Sequence, residues 1–375
     1  VNIRSRIGDY AVRETIEMKA VVFYGVGDIR FEPNWPDPPA LGRNEVKIAT
    51  SWSGICGTDV HDYERGGIIS VDKPHPVTGR RAPLVLGHEF SGRVAEIGPD
   101  VEGLEIGQRV AVESIRGCQK CYWCQRHRYA QCQHLISVGQ QDDGGMAEYF
   151  NVPAENCIPI PDSLGEDVAA VAEPLAIMIR AARKGNMQLG ETVTVVGAGA
   201  IGLCGIAVAR AAGAQKVIAI THGGKRAEVA ERMGAHYVLN STEQDWEEHY
   251  DDITDGRKAE LVFDTGGTVR AMRLAVELTA RGGRCVFVSL PDEDIPVSCM
   301  DIVLNEKEII GSVGHTHEEE FPWAVQYIAD GRIDVAPLIT SRICLEDAVE
   351  KGFKKLRQDR NEIKILVTPH RDPAQ

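Results

Sequence analysis

The sequence predicts an α/β protein in two parts, a β-rich first portion followed by a doubly wound parallel sheet. Three observations predict this. Before Glu173, short strand-like runs such as EVKIATSWSG, SGRVAEIG and QRVAVES are punctuated by Gly and Pro. After Glu173, strand-like and helix-like segments alternate, as a parallel sheet with crossover helices requires. Third, the series Gly197-Ala198-Gly199-Ala200-Ile201-Gly202 stands between a β-branched run and an alanine-rich helix, where a tight strand-to-helix turn belongs.

At 375 residues, 43% of them hydrophobic, the chain can bury a large core and fill about two domains. Its formal net charge of -14 and the lack of any Lys/Arg block argue against a nucleic-acid partner and for a small-molecule one. No apolar run reaches membrane-spanning length: 168–182 is interrupted by Glu173 and Arg180, and 201–214 by Gly205 and Arg210. The first residues lack the apolar centre of a secretion signal, so a cytoplasmic protein with no membrane contact is expected.

Residues 1–17 are expected to be an extension, because strand-like alternation begins only at Met18 in MKAVVFYG. Residues 18–171 form the first domain. Within it GICGTDVH contributes Cys56, Thr58, Asp59 and His61, and GHEFSG contributes His88 and Glu89. With Glu173 from AEPLA these offer a thiolate, an imidazole and carboxylates, the mixed set of a zinc site that keeps one position open. RGCQKCYWCQRHRYAQC spaces Cys118, Cys121, Cys124 and Cys132 so that they wrap around one zinc and fill all four positions, a structural site. Without a secretion signal, zinc is preferred here to disulfides. Cys157, Cys204, Cys285, Cys299 and Cys344 read as core residues.

Residues 172–314 carry the parallel sheet. ETVTVVGAGAIGLCGIAVARAAGA gives strand, turn and helix, and KVIAI, AHYVLN, AELVFDTGG, GGRCVFVSL and EKEIIGSVG give later strands. The turn reads as a dinucleotide site. Gly197 permits the bend, Gly199 lets a pyrophosphate approach the backbone, Gly202 allows close helix packing, and the helix start at Ala200 and Ile201 attracts the phosphate charge. Residues 315–375 return to the first domain, helical and then extended in NEIKILVTP. There is no internal repeat or low-complexity segment.

GICGTDVH, GHEFSG, the four-cysteine lobe, EPLA and GAGAIG, in that order, resemble the zinc-dependent medium-chain alcohol dehydrogenases, and the likeness runs from Met18 to about Thr368. Glu173 in EPLA, where ethanol-oxidising members have cysteine, and the loop KPHPVTGRRAPLVLGHEFSG are similar to the 2,3-butanediol and sorbitol dehydrogenase branch. The resemblance implies a GroES-like catalytic domain beside a Rossmann sheet, one catalytic and one structural zinc, and a nicotinamide cofactor. It implies reversible hydride transfer between that cofactor and a secondary alcohol or vicinal diol. Cys56 and His88 would hold the catalytic zinc, with Glu89 or Glu173 on the metal or its water and both acids remaining candidates. Asp59 would orient His88, Thr58 and His61 would relay a proton by way of the cofactor ribose, and Lys364 would either meet the pyrophosphate or stand as a solvated strand-end lysine. Family members assemble through the sheet edge, here near EIIGSVG, so a homodimer or homotetramer is expected. Alternatives within the same fold are zinc enzymes for threonine or another secondary alcohol, and zinc-free quinone or enoyl reductases. The last would have no use for Cys56, His88 and a cysteine lobe together.

The strand KVIAI ends on Thr221, where NAD-dependent relatives have an acid that binds both ribose hydroxyls and repels a 2′-phosphate. Thr221 is neutral, Gly223 and Gly224 leave room, and Lys225 and Arg226 follow within reach of a phosphate. NADP is therefore expected over NAD.

Overall fold

The computed structural model describes residues 17–291 and 293–370, so the expected extension lies, up to residue 16, outside the described residues. The first strand, Glu17–Gly25, pairs antiparallel with Asp28–Pro36 and with Leu84–Val85. Only Ile29 is buried in Asp28–Pro36, which therefore carries no readable alternation.

A larger sheet runs in the order Cys157–Pro159, Arg109–Val112, Glu89–Ile97, Glu45–Gly54, Lys364–Thr368, Ile339–Cys344, with Tyr149–Pro153 also on Glu45–Gly54. Alternate residues of these strands, among them Val46 and Ile48, Val110 and Val112, Phe150 and Val152, share one apolar cluster. Phe90 and Phe150 meet edge to face in it at 4.6 Å. Lys364–Thr368 arrives from the far end of the chain and is buried along its whole length, pairing at Leu366 with Gly54 and at Val367 with Ser53. That pairing brings Lys364 beneath the segment that carries Cys56.

The second sheet has the order Tyr237–Asn240, Lys216–Thr221, Thr192–Val196, Ala259–Asp264, Thr279–Phe287, Glu308–Gly311, parallel throughout. Numbered along the chain this is 3-2-1-4-5-6, the Rossmann order. Its strands read as continuous apolar runs because both faces are covered: Val193, Val195, Ala219, Leu261 and Phe263 enter one core, Val196, Ile218, Ile220 and Val262 the other. The helix Ala172–Lys184 packs on Ala200–Ala211 and Glu320–Ala329 and also reaches the strand Glu89–Ile97, so it bridges the two sheets. Glu308–Gly311 is an edge strand. Beside it in sequence the helix Cys299–Leu304 buries no residue. Cys299, expected in the core, is exposed there, and Cys344 is only half-buried at the end of a strand. Among the described residues no helix is long and apolar enough to cross a membrane.

Candidate active site

Cys56 caps the N-terminus of the helix Gly57–Glu64, and His88 and Glu89 stand where the strand Glu89–Ile97 begins. Donor atoms of Cys56, His88 and Glu89 all lie within 4.8 Å of one another. Donors around one zinc at about 2.0–2.3 Å come that close, and thiolate, imidazole and carboxylate are the types that zinc takes, so this set fits the metal. Asp59 organises two of the three. One carboxylate oxygen accepts the Cys56 N–H at 3.0 Å, and the other faces His88 Nδ1 at 3.4 Å. With Nδ1 turned to Asp59, Nε2 is left for the cluster. Burial works against a charged His88, but Asp59 and the Cys56 sulfur outweigh it and hold its pKa well above the usual imidazole range. Thr58 Oγ1 lies 3.3 Å from His88 Nε2 and accepts from Gln140 Nε2 at 3.2 Å, and His61 follows one helical turn later.

The two candidate carboxylates are held by different cations. Lys364, 2% exposed, donates to both oxygens of Glu89, at 2.7 and 2.6 Å, and to the Ile55 carbonyl at 3.1 Å. An ammonium has three donors, so all are committed, and the expectation that Lys364 meets the pyrophosphate is corrected. Its place on a strand paired beside Gly54 turns it to the metal site instead. Gly54 makes this possible, since a Cβ there would stand 2.1 Å from Glu89 Oε2. Burial raises the pKa of Glu89 against the pull of Lys364. Glu173, in the first turn of Ala172–Lys184, bonds His315 Nε2 at 2.9 Å. Burial raises its pKa too, but His315 prevails and the net shift is downward.

The four lobe cysteines form a second cluster within 4.8 Å, with sulfurs 3.5–3.9 Å apart, far beyond the about 2.05 Å of a disulfide. Backbone N–H groups of Cys118 and His134 point at Cys132 Sγ, and that of Cys121 at Cys118 Sγ. N–H donation led by Cys124 draws the Cys121 thiol down to about 6. Four thiols supplied with donors and free of S–S bonds fit a closed zinc site. Apart from them the lobe's apolar cluster holds only Tyr129 and Leu135.

The glycine turn joins Thr192–Val196 to the helix Ala200–Ala211. Gly197 has φ +99°, which a side chain resists, and a Cβ on Gly202 would fall 1.8 Å from the Gly197 carbonyl oxygen. Gly199 has no neighbour within 4 Å of a built Cβ, and the helix that opens with Ala200 and Ile201 takes no side-chain cap. A close-packed turn with an open middle glycine and uncapped N–H groups suits a pyrophosphate. The next strand ends on buried Thr221. Gly223 and Gly224, with φ +80° and +68°, lead into the helix Lys225–Arg232. Lys225 bonds Glu228 at 3.1 Å, whereas Arg226 Nε is buried without a partner. Desolvation, helped by the nearby charge of Arg360, lowers the pKa of Arg226.

Cys56, His88 and Glu89 therefore converge, with Asp59 and Thr58 against them; Glu173 lies outside that 4.8 Å cluster but close enough for its charge to act on Glu89 and that of His88 on it, His61 is placed only by its helix, and Cys118, Cys121, Cys124 and Cys132 converge separately. Sequence reasoning misses Gln140, Glu113 and His315 and misplaces Lys364. HTHEEE and the acid in RVAVES are visible in the sequence, but nothing in their spacing relates them to Glu173.

Two family models match the chain, an alcohol dehydrogenase GroES-like domain over residues 42–162 and a zinc-binding dehydrogenase over residues 200–330. An (R,R)-butanediol dehydrogenase of Bacillus subtilis is 35% identical over 94% of this chain and 100% of its own length. A sorbitol dehydrogenase of the same organism is 33% identical over 94% and 98%. A crystal structure of the B. subtilis 2R,3R-butanediol dehydrogenase superposes with a TM-score of 0.86 at 33% identity, over 94% of this chain and 100% of that one. A zinc-binding dehydrogenase of Sinorhizobium meliloti bound to NADP and an alcohol dehydrogenase of Escherichia coli bound to NADH each reach 0.83 at 28% identity, over 94% of this chain and 99% of theirs.

Proposed function

Since this chain belongs to the zinc-dependent medium-chain alcohol dehydrogenase family, near its butanediol and sorbitol dehydrogenase branch, we propose that it oxidises the hydroxyl of a vicinal diol or polyol with NADP, reversibly. That it is a nicotinamide-dependent dehydrogenase of CH–OH groups follows from the family; the diol and the phosphate-bearing cofactor are our reading. The observation that carries it is the convergence of Cys56, His88 and Glu89 with Asp59 behind them.

In this reading Cys56, His88 and Glu89 hold the catalytic zinc, and Glu173 stands beside them. Zinc bound there would supply Lewis acidity toward a substrate hydroxyl, and a bound nicotinamide would supply the hydride acceptor. Thr58 Oγ1 accepts from Gln140 and lies 3.3 Å from His88 Nε2; with that nitrogen taken by a metal its O–H would be available to exchange a proton with the substrate, which His61, one turn away, would pass outward. The four cysteines hold a second, structural zinc. Arg226, desolvated and unpartnered at Nε, gains most from a 2′-phosphate, with neutral Thr221 raising no objection to it. Lys225, paired with Glu228, is the lesser contributor. The lobe sulfurs, 3.5–3.9 Å apart rather than bonded, support a reducing, cytoplasmic setting. The exposed edge strand and the helix Cys299–Leu304 support a homodimer or homotetramer.

A panel of 2,3-butanediol stereoisomers, sorbitol, threonine and 2-propanol with both cofactors tests the reading. A vicinal diol or polyol with NADP is expected to give the highest kcat/KM. Threonine or 2-propanol leading the panel would overturn the substrate assignment, and preference for NAD the cofactor assignment.

A further inference from the structure

His315 is fully buried between two buried carboxylates that come from different parts of the chain. Its Nδ1 lies 2.6 Å from Glu113 Oε2 and its Nε2 2.9 Å from Glu173 Oε1. Glu113 is itself anchored. Its other oxygen accepts the Ile115 N–H at 2.7 Å, and its backbone exchanges bonds with Asn156. The imidazole stacks on Phe321 with centroids 5.7 Å apart, so its plane is set as well as its two ends. A neutral imidazole donates through only one nitrogen, and ionised carboxylates only accept. Bonding both acids therefore calls for the doubly protonated ring.

The consequence falls on Glu173. Its Oε1 is committed to His315, while Oε2 takes no hydrogen bond among the described residues and the side chain keeps a slight exposure, 7%. Glu89, by contrast, has both oxygens on Lys364. The three members of the chain also sit on different elements. Glu113 follows the strand Arg109–Val112 of the mixed sheet, Glu173 opens the bridging helix, and His315 follows the edge strand Glu308–Gly311 of the parallel sheet. A carboxylate whose charge acts on Glu89 is thus held by a residue on the loop that leaves the cofactor sheet.

We propose that His315 is a positioning residue, which, braced by Glu113, fixes the Glu173 carboxylate beside the metal position with one oxygen presented to it. The proposal rests on the zinc-site reading above. It assigns a role to an imidazole and an acid that the reaction itself does not use, and it makes the geometry at the metal depend on how the two sheets sit together.

The test replaces His315 with Ala and with Gln in the zinc enzyme and in protein whose catalytic site is loaded with cobalt. Loss of the clamp is expected to shift the cobalt d–d bands, to weaken retention of the catalytic metal against a chelator by about 10–100-fold, and to lower kcat more than it changes KM. His315→Gln keeps about the same volume but donates from one nitrogen only and cannot bond acids on opposite sides as an imidazolium does, so it is expected to fall between, and it carries the test if the alanine variant does not fold. Glu113→Gln is expected to shift the bands in the same direction. Wild-type bands and metal retention within twofold in a folded His315 variant would overturn the proposal and leave His315 a structural residue. Cys56→Ala separates the two readings. If it keeps the catalytic metal, the zinc site itself is misassigned; if it loses the metal while the His315 variants keep theirs unchanged, only the positioning role falls.

Discussion

Lys364 and Glu89 show how much one residue can commit. Each is buried, and each answers the other's charge, with Gly54 leaving the space that Glu89 Oε2 occupies. Removing one charge leaves the other desolvated and uncompensated. Lys364→Met is therefore expected to cost about 3–5 kcal/mol in urea unfolding of the metal-replete protein. The double variant Lys364→Met with Glu89→Gln is expected to recover part of that, because no lone charge stays behind. A single-variant loss under about 1 kcal/mol would show that the pair is not closed to water as described. In the sequence Lys364 is one lysine in a strand, and its partner lies on another strand far along the chain. Asp59 is the opposite case: its bond to the Cys56 N–H spans three residues and is legible in GICGTDVH.

At the scale of elements, the cysteine lobe and the cofactor strand end differ in what holds them. The lobe has no regular structure beyond single 3-10 turns and little apolar cover, so its shape depends on what the four thiols bind. About two zinc ions per chain are expected by elemental analysis. Cys121→Ser is expected to lose one of them and to lower the unfolding midpoint, since metal binding here is folding free energy; an unchanged midpoint with two ions retained would contradict the site. The segment from Thr221 to Arg226 is shaped by two left-handed glycines and fixed by a strand before and a helix after. An acid at its head would repel a 2′-phosphate. Thr221→Asp is expected to move the NADP/NAD ratio of kcat/KM toward NAD by about tenfold or more, the worth of one charge-assisted bond of about 1.5–3 kcal/mol. A ratio that stays put would mean that Thr221 does not set the choice.

For the whole molecule, the apolar surface is uneven. Leu290, Met300, Val303 and Leu304 are each about two-thirds or more exposed, and so in part are Ile309 on the edge strand and Val313 just beyond it. An uncovered edge strand beside an apolar helix invites a second sheet. A dimer or tetramer is expected by light scattering, and Val303→Asp combined with Leu304→Asp is expected to shift it toward monomer. A monomer in the wild type would sink the assembly.

Features that depend on neighbours in the chain are legible in the sequence. The Rossmann turn is local because each glycine answers a backbone demand within six residues, and the parallel strands are legible because burial on both faces makes them continuous apolar runs. The four cysteines, Cys56 with Asp59, and His88 with Glu89 sit inside short motifs for the same reason: a ligand set needs few residues to turn its donors inward. Features that depend on elements meeting exist only in the assembled fold. Glu308–Gly311 reads the same as an interior strand until the sheet order makes it an edge. Cys299 reads as core until its helix is found with no buried residue. Lys364 reaches Glu89, and His315 joins Glu113 to Glu173, only because strands and loops far apart in the chain are packed against one another. Charge pairing of this kind is chosen by burial, which removes water as the competing partner, and burial is a property of the assembled fold.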